Sequence, residues 1–374
     1  MHPTQVITDL RAYQHNVQTI HRRLNGRCRL CAVVKADAYG HGIGLIAPAA
    51  LHAGADTLAI VDNWEAQAIR DLGIDQPVIR LRPALREEAE EALRQGWHIE
   101  EAAGSLQAAQ MLNDLGERFG VRVSVHMKLD VGMGRMGFCG EDWLAQVQTA
   151  CQLPHIHVAG VMTHFPCADD DLPVTESQLN QFEDKVKQIA PYVPRDAVIH
   201  TANSAAADRI PSSHLGMVRA GILSYGLQPG PDYALPDALH PVMSWETRIA
   251  LLREVPPGTT VGYGMTYRLE QGGRIATLPM GYADAFLRAF SNRAPVLVRG
   301  QRCMVAGRVS MDMVTLDVSH LPNVQEGDAV TLVGRQGEEE IRMAEYSALA
   351  DTIDYELACL IGNSNPNRVA RLAD

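Results

Sequence analysis

Lysine closes the apolar run LCAVVKA (30–36), where a buried strand would normally carry another apolar side chain, and DAYGHG follows at once. An ammonium carried to the end of a buried strand is partly desolvated, which disfavours its charged form and makes a neutral, nucleophilic amine accessible. Such an amine makes Schiff bases with carbonyl compounds, pyridoxal phosphate among them. Similar groups recur at the ends of later apolar runs: Lys128 and Asp130 end 121–130, with Arg135 just beyond in GMGRMG. Thr163 and His164 end 155–164, Asn203 and Ser204 end 197–204, and Arg219 interrupts the apolar run 216–226. Any one of them alone reads as a solvated or structurally paired side chain. Five strand ends carrying such groups together read as a site.

Phosphate on a bound cofactor needs hydroxyls, backbone amides and glycines, which Tyr39, Ser204, Gly221 and Ile222 can supply. Many pyridoxal enzymes set a carboxylate against the pyridine nitrogen and keep it protonated. Arginine only donates and stays charged, so Arg219 at that nitrogen would hold it unprotonated and weaken the ring as an electron sink. That favours removing one α-proton and returning one quickly over longer chemistry.

These groups have to be carried by an alternation of elements. Eight short apolar runs begin near 30, 56, 77, 96, 121, 155, 197 and 216, with helix-like segments such as 63–73, 105–120 and 176–192 between most of them. This rhythm predicts an α/β chain folded as a (β/α)₈ TIM-type barrel, with an open doubly wound sheet as the competing arrangement. Barrel enzymes gather their chemistry at the carboxyl ends of the strands, where these residues fall. Residues 9–25 predict a helix ahead of the first barrel strand, capped by Thr8, and 205–210 about one helical turn. A linker dense in Pro, Gly and Asp (227–241) leads to short strands and turns, which predict a mostly-β carboxyl-terminal domain. The expected division is 9–232 for the barrel and 238–374, with strand 2–8, for the β domain.

Lys plus Arg is 33 and Asp plus Glu 44, a formal charge of −11, so bulk electrostatics argue against a nucleic-acid partner. No run has the length of a membrane span, and MHPTQVITDLRAYQHN has no apolar core and does not read as a signal peptide. The seven cysteines lack paired zinc-type spacing, so no metal site is expected, and they read as reduced thiols of a cytoplasmic protein.

AVVKADAYGHG, GMGRMG, THF, HTANSAA, VRAGILSYG, VGYGMTY, GYAD and GRVSMDM, in this order, closely resemble bacterial alanine racemase, and the resemblance covers essentially the whole chain. It implies a barrel with a carboxyl-terminal β domain, pyridoxal phosphate, and a head-to-tail homodimer that interconverts L- and D-alanine and supplies D-alanine for peptidoglycan. It further implies that Lys35 is the Schiff-base lysine and the base for the D-enantiomer, with Tyr263 of the other subunit the base for the L-enantiomer. Arg219 would be the partner of the pyridine nitrogen, and His164 would bridge Arg219 and the tyrosine. Tyr39, Ser204, Gly221, Ile222 and Tyr355 would contact the phosphate, with Asn203 also on the cofactor side. Arg135 would bind the substrate carboxylate, oriented by a carbamylated Lys128. Met311 and Asp312 would line the substrate pocket, and Tyr282 would gate its entrance.

The chain departs from the family at GYADAFLRAFSN (281–292), which lacks a glycine and a Pro-Arg pair, and in its tail. The loop shapes the pocket entrance and keeps open a serine or broad-range amino-acid racemase on the same machinery; a more remote alternative, resting on the architecture alone, is a decarboxylase of the same fold with Cys303 or Cys359 as its candidate cysteine.

Overall fold

β-prone runs separated by amphipathic stretches become parallel strands joined by helices. The computed structural model describes residues 3–365 and 368–371. After β1 (Gln5–Asp9) come β2 (Arg29–Val33), β3 (Thr57–Ile60), β4 (Val78–Arg80), β5 (Ile99–Ala103), β6 (Val123–Lys128), β7 (Ile156–Met162), β8 (Val198–His200) and β9 (Met217–Ala220). The last eight form one parallel sheet in the order β8-β7-β6-β5-β4-β3-β2-β9. Backbone hydrogen bonds from Gly216 N to Ile199 O (2.8 Å) and from Arg219 N to Ala202 O (3.0 Å) join its two ends. First strand beside last, with the row closing on itself, is the mark of a barrel rather than an open doubly wound sheet. Side chains that alternate outward, such as Val123, Val125 and Met127, pack with Leu112, Leu115 and Phe182 of the covering helices, which leaves His126 and Lys128 on the opposite, inner face.

One local expectation changes. The helix Leu10–Leu24 is capped by Asp9, whose Oδ1 accepts the amides of Arg11 and Ala12 at 3.0 Å each. Thr8 instead lies within β1, buried, its hydroxyl donating to His41 O at 2.9 Å. A carboxylate caps more strongly than a threonine already committed to a strand. The helical turn expected at 205–210 is present as the helix Ser204–Arg209, capped by Asn203, which accepts the Ala206 amide.

By its contacts the chain divides into two compact units. One takes Gln14–Ala38 and Ile43–Ser224; the other takes the described residues of Met1–Tyr13, Tyr39–Gly42 and Tyr225–Asp374. The second unit is built on a sheet that runs Leu251–Val255, Gly273–Leu278, Val314–Asp317, Gln301–Val305, Pro295–Val298, Ala329–Gln336, Met243–Arg248, β1 and Arg368–Arg371. β1 pairs antiparallel with Met243–Arg248 and parallel with Arg368–Arg371.

Residues 39–42 run against the helix Asp354–Ser364 in that unit. Gly40 has φ +79°, and a Cβ there would sit 2.3 Å from Ala358 O. Both the conformation and the backbone contact require glycine. Gly40→Ala is therefore expected to lower the thermal unfolding midpoint by ~5 °C or more. Gly44→Ala, on a helix with nothing within 4 Å, is expected to leave it unchanged or raise it slightly. Differential scanning calorimetry of the two variants checks this.

Candidate active site

The question raised by Lys35 has a structural answer. Ala36, Asp37 and Ala38 have φ near +53° and ψ near +49°, and Tyr39 has φ +52°. Four consecutive non-glycine residues thus form a left-handed turn directly after the lysine. Each costs about 1–2 kcal/mol against a right-handed conformation, so the surroundings must hold them. Glu65, fully buried, does so with both oxygens: Oε1 accepts Ala36 N at 2.5 Å, and Oε2 accepts Val61 N (2.7 Å) and Asp62 N (3.1 Å). Burial pushes the Glu65 carboxyl up, and these three amides pull it back. Asp37 Oδ1 accepts Ile43 N at 2.7 Å, and Ala38 N donates to Val34 O. Strain held this firmly fixes the direction in which the chain leaves Lys35.

Arg219 in β9 is buried, and its guanidinium is fixed by neighbouring strand ends. Nη2 donates to Thr163 O (2.8 Å) and Thr201 O (2.9 Å), and Nη1 meets His200 Nδ1 at 2.8 Å. His164 Nδ1 lies 3.5 Å from Nη2, a longer contact than the one to His200. Burial lowers the Arg219 pKa to about 10, which leaves it charged at neutral pH. None of its hydrogen-bond partners among the described residues is a carboxylate. Ser204 Oγ, at the start of the helix capped by Asn203, accepts Gly221 N at 2.8 Å. The amides of Gly221 and Ile222 thus lie at the mouth of the same strand end, beside the turn Ile222–Tyr225. Asn203 also donates to Phe165 O at 3.2 Å.

The charges at this end are overwhelmingly positive. Lys128, which ends β6, is pushed down to about 7, first by burial and then by Arg219, Arg135 and Lys35. His164 is held well below its usual range by burial and the same cations. Asp130 does not offset them through a hydrogen bond: its two oxygens accept the amides of Gly132, Met133 and Gly134 at 2.9 Å each, shaping the loop that carries Arg135. A partly dehydrated set of cations at one strand-end face suits an anionic ligand.

The unit that contains Tyr39 holds the remaining candidates. Tyr39 stacks near Tyr355 (ring centroids 5.8 Å) and Tyr225 (4.9 Å). Tyr263 stands on a short 3₁₀ turn, Tyr263–Met265, after Gly262, whose φ is +74° and whose Cβ would meet Arg308 N at 2.9 Å. Tyr282 N and Ala283 N donate to Ser310 O and Met311 O at 3.0 Å each. The loops of Tyr263, Tyr282 and Met311-Asp312 therefore adjoin. They expose unusually large side chains: Tyr263 is 70% exposed, Met311 58% and Tyr282 42%.

The residue missed in the sequence is His200, the closest imidazole to Arg219. It stands inside the quoted HTANSAA, but an inward histidine of a strand reads as core until its partner is known. Glu65 was likewise silent, being one acidic residue of an amphipathic helix.

The sequence matches the model of the alanine racemase N-terminal domain over residues 8–229 and that of the C-terminal domain over 242–369. The chain belongs to the alanine racemase family. A curated alanine racemase of Symbiobacterium thermophilum is 41% identical, over 98% of this chain and 97% of its own. The crystal structure of alanine racemase from Bacillus anthracis with bound L-Ala-P superposes with a TM-score of 0.92 at 32% identity, covering all of this chain and 96% of that one. A broad specificity amino-acid racemase of Aeromonas hydrophila is 36% identical over 97% of this chain and 89% of its own. Membership makes the chain an isomerase of a pyridoxal-phosphate-dependent family and accounts for the barrel followed by a mostly-β domain. No helix among the described residues is long and apolar enough to cross a membrane.

Proposed function

We propose that the chain interconverts L-alanine and D-alanine with bound pyridoxal phosphate, as a homodimer in which each site takes Lys35 from one copy and Tyr263 from the other. The observation that carries this reading is Arg219, charged, buried and held by carbonyls and imidazoles where a longer-lived carbanion chemistry would call for a carboxylate. The donor set fits the cofactor: the half-buried Lys35, the Ser204 hydroxyl, whose oxygen already accepts the Gly221 amide, the Ile222 amide, and a cationic surround. Bound there, pyridoxal phosphate supplies an electron sink that makes the α-proton of an amino acid removable.

Lys35 holds the cofactor and takes or returns the proton on the D-face. Tyr263 does so on the opposite face. A phenol is a weak acid and needs activation to serve as a base at neutral pH, and His164 and Arg219 are the groups that would supply it. Tyr39, Tyr355, Asn203, Ser204, Gly221 and Ile222 hold the phosphate side. Arg135 takes the substrate carboxylate, Met311 and Asp312 shape the pocket, and Tyr282 guards its entrance. The exposure of Tyr263, Met311 and Tyr282 supports their use by a second copy, since side chains this large seldom stand in water in a group. Seven free cysteines support a cytoplasmic setting, where the D-alanine would enter peptidoglycan synthesis. The decarboxylase alternative loses ground because Arg219, with no carboxylate among its hydrogen-bond partners, stands where that chemistry would place one, and because burial pushes the Cys303 thiol up to about 12, which disfavours its thiolate.

Purified protein given pyridoxal phosphate and either L-alanine or L-serine in deuterium oxide tests the reading. D-alanine carrying α-deuterium should form quickly and D-serine much more slowly. Comparable D-serine would shift the assignment to a broad-range racemase, and no D-product from either would overturn it.

Lys128 yields a separate expectation. Its neutral amine, abundant above about pH 7, is the form that adds carbon dioxide. Isotope-labelled bicarbonate should give a carbamate carbon signal that grows from about pH 7 to 9. Lys128→Met should lose that signal. Wild-type protein without it would leave Lys128 a plain buried amine.

A further inference from the structure

Behind Arg219 runs a line of polar groups that the proposed reaction does not use. Glu100 Oε2 lies 2.8 Å from His126 Nε2, His126 Nδ1 lies 2.8 Å from His200 Nε2, and His200 Nδ1 lies 2.8 Å from Arg219 Nη1. The four residues stand on β5, β6, β8 and β9, so the line passes over β7. It passes at Gly160, where a Cβ would lie 2.3 Å from His126 Nδ1. Gly160 has no positive φ to require glycine, so the space it leaves is what lets the two imidazoles meet, nearly edge to face at 86°. Both imidazoles are buried, while the Glu100 side chain is about a quarter exposed and reaches water.

Donor and acceptor roles along this line have one solution. Arginine only donates, so His200 Nδ1 must accept. A neutral imidazole then carries its proton on Nε2 and donates it to His126 Nδ1. That nitrogen must accept in turn, which places the His126 proton on Nε2, facing the Glu100 carboxylate. A second proton on either ring would point at a donor.

We infer that Glu100 and His126 are positioning residues: they hold His200 as a neutral Nε2–H acceptor and thereby keep the Arg219 guanidinium fixed and charged toward the site. The carboxylate at the far end and the guanidinium at the near end demand the same arrangement, so the wire carries no internal conflict and each bond polarises the next. The groups facing His200 are Arg219, His126 and Lys128, and those around Arg219 include Cys31. Burial first, and then the charges of Arg219 and Lys128, hold His200 well below its usual range, in keeping with a neutral ring.

The catalytic consequence rests on the reading of Arg219 as the partner of the pyridine nitrogen; the tautomers do not. Heteronuclear NMR of selectively nitrogen-labelled histidines in the holoenzyme reads the tautomers directly, with assignments from His126→Gln and His200→Asn. Each ring should carry a single proton, on Nε2, at pH 7, as the hydrogen-bond line requires. Glu100→Ala should lower kcat for alanine about tenfold in both directions and leave KM within about twofold. Glu100→Gln, which keeps an acceptor for His126, should recover most of that loss. An Nδ1–H or doubly protonated ring in the wild type at pH 7 would overturn the wire. Correct tautomers with kcat unchanged in Glu100→Ala would overturn the positioning role. A wild type that turns over no alanine fails the functional reading and leaves the NMR result standing.

Discussion

Tyr263→Phe is expected to reduce racemisation of alanine by about 10³-fold while leaving folding and cofactor binding intact. Losing the phenol removes the proton acceptor on one face, and a positioned acid or base of this kind contributes on that scale. The loss should be lopsided. With Lys35 still in place, α-hydrogen exchange of D-alanine with solvent should persist, while exchange of L-alanine should collapse. Stability should change little, because the side chain is 70% exposed and the hydroxyl removed is at its tip. Exchange followed by mass spectrometry on each enantiomer separates the outcomes. Equal losses for the two enantiomers would mean that Tyr263 does not serve one face.

Lys35→Ala is expected to have the larger effect still. It removes the amine that anchors the cofactor and the base on the D-face together, so racemisation should drop by about 10⁴-fold or more. Exchange should be lost for both enantiomers, unlike in Tyr263→Phe. The variant should also release pyridoxal phosphate on dialysis, which visible absorbance reads. Alanine at this position meets no new strain, since the left-handed residues begin one position later, at Ala36, and the Glu65 clamp on that amide remains. The folded protein should therefore survive, and calorimetry should show its melting midpoint within a few degrees of the wild type's. Retained activity would remove Lys35 from the chemistry.

The barrel was readable because eight apolar runs recur with amphipathic stretches between them, a period that parallel strands and covering helices impose on any sequence. The polar residues at the ends of those runs were readable for a related reason: charge and hydroxyls placed where apolar side chains are expected stand out. What a run of residues does not display is partnership across the barrel. His200 and His126 look like ordinary inward strand residues until β5, β6, β8 and β9 are brought side by side. Glu65 looks like helix surface until its carboxylate is seen on the Ala36 amide, and Gly160 looks like a weak strand residue until His126 fills the space beside it. The left-handed turn after Lys35 was hidden too, because Ala36, Asp37 and Ala38 carry no glycine to announce it. Thr8 misled for the converse reason: it is a good cap by type, but Asp9 follows it and the strand needed Thr8 first.

Subunit complementation tests the central claim most directly. Lys35→Ala and Tyr263→Phe chains carrying different tags are co-expressed, and the mixed dimer is isolated and given L-alanine. If each site takes its lysine from one copy and its tyrosine from the other, one site of every mixed dimer carries both lesions and the other carries neither. The mixed dimer should then show about half the wild-type turnover, and an unfractionated statistical mixture about a quarter. A mixed dimer no more active than either parent would contradict a site shared between two copies.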